Sequence, residues 1–151
     1  MVIREGRLDG VWRAHHRLLL ARLDFQRLIL AAARSGASER EIRNSVHGHC
    51  PDVRELLQEA EKLPPVPEGF SGSGPYEICQ RYAVGLLTRE QLVDELTRWD
   101  YPPRSWPRDY FDDYMVDPPG SWLEVEEAES DGLIDISTYG EVLNRRHPDE
   151  S

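Results

Sequence analysis

Glu77 to Arg98 reads EICQRYAVGLLTREQLVDELTR, and Glu124 to Arg145 reads EVEEAESDGLIDISTYGEVLNR. The two stretches align without a gap at an offset of 47 residues. Gly85-Leu86-Leu87-Thr88 falls on Gly132-Leu133-Ile134-Asp135, Leu92 on Tyr139, Asp94 on Glu141, Leu96 on Leu143 and Arg98 on Arg145. Each copy reads as a helix, a glycine turn, an N-cap (Thr88 or Asp135) and a second helix. A Ser/Thr followed three residues later by Glu/Gln is a capping box, and Thr88 to Gln91 and Ser121 to Glu124 both have that form. One helical hairpin cannot bury its apolar face alone, so two copies packed together make a minimal four-helix unit.

Working outward, the N-terminal region predicts three more helices. The first starts near Asp9 and runs to about Ser35. Val11, Leu18, Phe25, Ile29 and Ala32 form its stripe, with Trp12, Leu19, Leu23 and Leu30 beside it. Gly36 supplies the left-handed residue that ends it. Ser38-Glu39-Arg40-Glu41 is a capping box opening a short helix to about Val46. His47-Gly48-His49-Cys50 makes a turn, Pro51 stands at a first helical position, and a third helix reaches about Leu63. Residues 64–75, PPVPEGFSGSGP, read as a Pro/Gly/Ser linker. The expected fold is therefore mostly all-α: a three-helix module over 1–63, the linker, and a domain of two helical hairpins over 76–151.

Between the copies lies WDYPPRSWPRDYFDDYMVDPPG, residues 99–120, which holds six of the thirteen aromatic residues. A connection this long and this aromatic is expected to pack across the hairpins, with short extended pieces around Tyr114 to Val116. Its aromatics alternate with prolines and acids, a pattern that suits an exposed ledge. Trp106, Tyr110, Phe111 and Tyr114 are the candidate anchors for a partner, and Asp109, Asp112 and Asp113 the charges that would steer it. The competing expectation is that the rings fill the groove between the hairpins.

The net charge of −10 is unevenly placed. Residues 1–63 carry 11 basic and 9 acidic side chains, and 64–151 carry 7 and 19. An acidic half repels nucleic acid and favours basic partners, although solubility alone also explains it. The longest apolar run, near Leu28 to Ala33, is far short of the roughly 18 residues needed to span a bilayer. The start of the chain has neither an apolar signal core nor a cleavage site, which predicts a cytoplasmic protein without membrane partners.

Ser38, Ile42, Val46, Val53 and Leu56-Leu57 match the core spacing of a helix-turn-helix, and residues 38–57 resemble DNA-binding proteins of that class. The resemblance implies a three-helix module with Arg40, Arg43 and Arg54 as its nucleic-acid contacts. Arg43 stands where that class places a small residue, and Gly48 comes one position late. The helix that would enter the groove begins Pro51-Asp52-Val53-Arg54-Glu55, in which only Arg54 suits phosphate or base edges. The two repeats resemble SHOCT-type helical hairpins, built around a Gly-x-Ile-Thr-like turn. That resemblance implies oligomerisation or partner binding and transfers no catalytic residue.

His47, His49 and Cys50 cluster, with His15-His16 upstream, but zinc needs about four ligands in tetrahedral array and these spacings fit no established finger. Cys50 and Cys79 read as buried thiols. No Ser-His-Asp, Cys-His or glycine-rich phosphate arrangement is present. The sequence thus predicts no catalysis, no cofactor and no metal. It points to a protein-binding inhibitor of antitoxin or immunity-protein type, acting on a basic partner. A DNA-binding regulator and a phage or virion adaptor remain the alternatives, with weak DNA binding and homo-oligomerisation left open.

Overall fold

The computed structural model describes residues 7–48, 52–103 and 117–148. Among them are seven helices and no strand: α1 Asp9–Arg34, α2 Glu39–Ser45, α3 Val53–Glu61, α4 Pro75–Ala83, α5 Arg89–Arg98, α6 Leu123–Ser130 and α7 Ile136–Arg146. The all-α expectation holds. The chain divides into two compact units, one of residues 14–65 and one combining 66–151 with the residues up to Arg13. The N-terminal residues expected in the first module therefore group with the C-terminal one. The reason is Trp12, which packs on the C-terminal hydrophobic cluster.

In the unit of residues 14–65, Ile29 of α1, Ile42 of α2 and Val53 of α3 form a small core. Phe25, Ala32, Val46, Leu56 and Leu57 pack around it. Gly36 ends α1 with φ 102°. Ser38 and Glu41 form the expected reciprocal capping box, which holds the Glu41 carboxyl below its ordinary pKa. The start of α3 differs from expectation. Asp52 is the N-cap, its carboxylate accepting the Glu55 amide at 3.0 Å, so the helix begins at Val53 rather than at Pro51. A carboxylate three residues before N3 satisfies an amide that a proline cannot.

The C-terminal unit shows why the repeat folds as it does. Helix α4 packs on α5 and α6 on α7 within each hairpin, while α4 meets α6 and α5 meets α7 between them, so equivalent helices of the two copies face one another. Ile78, Leu92, Val93, Leu96, Val125, Leu133, Ile134 and Val142 are buried in one cluster. The turns are duplicates. Gly85 and Gly132 adopt φ 86° and 77°. The Leu86 amide donates to the Arg81 carbonyl as the Leu133 amide does to Ala128, both five residues back. That is the Schellman ending, which needs a residue with positive φ and so selects glycine. Thr88 with Gln91, and Asp135 accepting from the Thr138 amide at 2.7 Å, then start α5 and α7.

Two expectations are corrected here. Ser121 does not cap α6: the N-cap is Trp122, without a side-chain bond, and the Glu124 carboxylate turns instead to the amides of Gly120 and Tyr76. Residues 64–75 are not a solvated linker throughout. Ser71 donates to Glu95 from both its amide and its hydroxyl, and Arg98 donates to the Gly69 carbonyl at 3.0 Å while its guanidinium lies over Phe70. Gly72, Gly74 and Pro75 are buried, and Pro75 opens α4. The physical reason is space. A Cβ on Gly72 would come within 2.7 Å of the Glu77 carboxylate, and one on Gly74 within 2.7 Å of Glu124. The small residues are there for close approach, not for flexibility.

Candidate functional site

The seven candidate partner-binding residues of the connector, Trp106, Asp109, Tyr110, Phe111, Asp112, Asp113 and Tyr114, lie outside the described residues, as do the extended pieces expected near Tyr114 to Val116. The ends of the connector are described, and they are built into the core. Trp99 donates its indole N–H to the Gly120 carbonyl at 3.0 Å, which closes the loop from residue 99 to residue 120. Its ring meets Phe70 edge-on at 5.0 Å. Tyr101 donates to the Leu96 carbonyl at 2.7 Å, and Trp122 lies edge-on to Tyr101 and donates to the Tyr139 hydroxyl at 3.1 Å. Arg146 covers the Tyr101 ring at 4.3 Å and donates to the carbonyls of Thr97 and Trp99. Burial pushes the Tyr101 phenol above its ordinary pKa, with Arg146 opposing.

Around this frame the described surface of the C-terminal unit is acidic. The five described arginines of residues 66–148 are all committed within the chain. Arg81 pairs with Glu77 in the interior, Arg89 with Glu141, Arg98 with Asp94 and Arg145 with Glu141, while Arg146 holds the carbonyls just named. The Arg98–Asp94 and Arg145–Glu141 pairs occupy equivalent repeat positions. Arg89 also holds the Glu141 carboxyl below its ordinary pKa. In contrast, α6 carries Glu124, Glu126, Glu127 and Glu129 with no basic residue in its last turn, and Asp131 follows. Glu127 and Asp131 are exposed. Cations that are already paired cannot offset this field, so a basic surface would be drawn to it.

A cleft of about 260 Å³ opens between α5 and the loop before α4, lined by Phe70, Ser71, Leu87, Gln91, Glu95 and Arg98 among others. It is slightly smaller than the roughly 300–1,000 Å³ of ordinary small-molecule pockets. Its two carboxylates, Glu95 and Asp94, are engaged by Ser71 and Arg98.

In the unit of residues 14–65, Arg40 and Arg43 are exposed on α2. Arg54 is exposed on α3 but pairs with Glu39 at 3.3 Å. At the start of α3, the Asp52 carboxylate occupies the Glu55 amide, a donor that would otherwise be available to a phosphate. His47 takes the left-handed position at the end of α2, φ 54°, ahead of Gly48. His49 and Cys50 lie outside the described residues. Cys79 is buried, and burial raises its thiol pKa. Among the described residues no cluster of His, Cys, Asp and Glu could hold a metal ion. No helix there is long and apolar enough to cross a membrane.

Sequence reasoning missed Glu124, Glu95 and Arg146 as organising residues. The repeat itself carried one signal: Glu77 and Glu124 occupy the same register, each beside a buried glycine. No family model matches the chain, and no curated protein or solved structure matches it.

Proposed function

We propose that this protein is a non-catalytic binding protein of the antitoxin or immunity-protein kind, whose acidic C-terminal unit covers a basic protein partner. The observation that carries the reading is the commitment of every described arginine of residues 66–148 to a carboxylate or carbonyl of the chain, beside the acidic run of α6. Such a surface gains from a cationic partner through electrostatic steering and complementarity. The aromatic connector, with Trp106, Tyr110, Phe111 and Tyr114, supplies residues of the type that dominate interface energetics.

The test is affinity purification of the tagged protein from its host after nuclease treatment, followed by titration of the recovered partner. A basic protein is expected, bound in a salt-sensitive complex that Glu127→Lys combined with Asp131→Lys weakens by about tenfold or more. Recovery of nucleic acid alone, or a complex indifferent to salt and to both substitutions, removes the reading. A gene for a basic, toxic protein beside the coding sequence is the cheapest supporting observation.

A DNA-binding regulator is the second reading. It is favoured by the packing of Ile42, Val46, Val53, Leu56 and Leu57 at helix-turn-helix spacing. The pairing of Arg54 with Glu39 and the carboxylates of α3 weigh against it.

A further inference from the structure

The cleft beside α5 holds a carboxylate that the fold itself does not require. Glu95 lines the cleft and is 6% exposed. Ser71 donates to one of its oxygens from the amide and to the other from the hydroxyl, and no basic side chain among the described residues pairs with Glu95. Arg98, which also lines the cleft, is taken by Asp94 at 2.9 Å and by the Gly69 carbonyl at 3.0 Å. The repeat supplies an internal control. Asp94 and Arg98 fall on Glu141 and Arg145, which pair in the same way. Glu95 falls on Val142, which is fully buried in the core. One helix position is thus filled by an apolar side chain in one copy and by a carboxylate in the other. A carboxylate buried without a cation is costly where valine would pack. Ser71 offsets part of that cost, yet a neutral acceptor would hold Ser71 as well, so the loop does not need the charge.

We propose that this cleft is a binding site for a guanidinium group, whose occupant, on the functional reading above, is an arginine side chain of the basic partner. A carboxylate offers about four lone-pair sites on its two oxygens. Ser71 fills one on each oxygen, so each keeps acceptor capacity, and two parallel N–H groups of a guanidinium match that pair. An ammonium is a point charge without such a fork. Because Arg98 offsets Asp94, Glu95 leaves the lining with a single net negative charge, which suits one cation. Phe70 and Leu87, both half-buried, give the methylene stem of the side chain an apolar wall. At about 260 Å³ the space suits one side chain better than a larger ligand.

Two-dimensional amide NMR of the full chain, titrated with N-acetyl-arginine amide, tests the proposal. Saturable shifts at the amides of Gly69, Ser71 and Gln91 are expected, with a Kd of about 10 mM or tighter. The neutral isostere N-acetyl-citrulline amide should bind the same unaltered protein at least about tenfold more weakly. Glu95→Gln keeps an acceptor for Ser71 and removes the charge, so it should weaken arginine binding by about tenfold or more while the rest of the spectrum stays that of the folded chain. Equal binding of the two probes, no saturable shift at the cleft, or binding that Glu95→Gln leaves intact each overturns the proposal. Where Glu95→Gln unfolds the chain, the citrulline comparison still decides. Shifts confined to α6 overturn the cleft as the site while leaving the acidic surface as the partner-binding face. Binding at the cleft stands even where affinity purification recovers no basic protein, so the two readings fail separately.

Discussion

The Glu124 carboxylate of α6 accepts the Tyr76 backbone N–H of α4 at 3.3 Å. Helix α4 has no side-chain cap of its own, because its N-cap is Gly74. Its first-turn amide is satisfied by a residue 48 positions away, on the other hairpin. The same carboxylate accepts the Gly120 amide, at the end of the connector. One side chain therefore joins both hairpins to the loop that carries the candidate anchors.

Replacing Glu124 should cost more than its partial exposure suggests. Glu124→Ala leaves two amides without acceptors, and a cost of about 2 kcal/mol is expected. The exposed Glu127→Ala, one turn along the same helix, should stay within about 0.5 kcal/mol. Urea unfolding of both variants decides it; equal midpoints would mean Glu124 caps nothing.

The caps separate observed from nominal boxes. Ser38→Ala, Thr88→Ala and Asp135→Ala should each cost about 1 kcal/mol of helix-start stability. Ser121→Ala should cost less than half of that, since α6 has no side-chain cap and Ser121 accepts the Glu124 amide through its backbone carbonyl, which alanine keeps. A Ser121 effect as large as that of Thr88 in thermal unfolding would restore the sequence-based box.

Limited proteolysis within residues 64–75 should be confined to its first part. Pro64, Pro65, Pro67 and Glu68 are exposed, while Gly72, Gly74 and Pro75 are buried and Ser71 is bonded to Glu95. A glutamate-specific protease should therefore cut after Glu68. Mass spectrometry showing first cuts between Ser71 and Pro75 would contradict the packed arrangement.

Stability should fall on the alkaline side. Burial raises the Cys79 thiol pKa from 9.0, and burial with the bond to Asp131 raises the Tyr76 phenol from 10.0. Tyr101 is raised from 10.0 by burial. These groups bind their protons more tightly in the folded chain, so their contribution is complete below pH 9.0 and is lost as pH rises above it. Denaturation midpoints should fall as pH rises above about 9, and Cys79→Ala should flatten part of the fall. On the acid side Asp135, held below its ordinary value by Thr138, contributes stability present above pH 3.8 and lost as pH falls further.

DNA binding should be weak and without sequence preference, no tighter than about 1 µM at physiological salt. It should depend on Arg40 and Arg43 more than on Arg54, which Glu39 already holds. Fluorescence anisotropy across a salt series reads this directly. A tight, sequence-selective complex would put the regulator first.

What the sequence determined by itself was local. The glycine turns at Gly85 and Gly132, the caps at Ser38, Thr88 and Asp135, and the apolar periodicity all act within about one turn of helix, so composition and spacing reveal them. What tertiary structure decided was which distant partner each ambiguous group took. Ser121-x-x-Glu124 satisfies the capping-box spacing, yet Glu124 was drawn to amides of Tyr76 and Gly120. The Gly-Ser run before α4 has the composition of a flexible linker, yet it is held by Glu95 and fits beneath Glu77 and Glu124 because it lacks Cβ atoms. Trp99 and Tyr101 became core, and Trp12 grouped α1's first residues with the C-terminal unit. A carboxylate or a glycine has several equally good local uses, and only the neighbours brought within 3–4 Å by packing select among them.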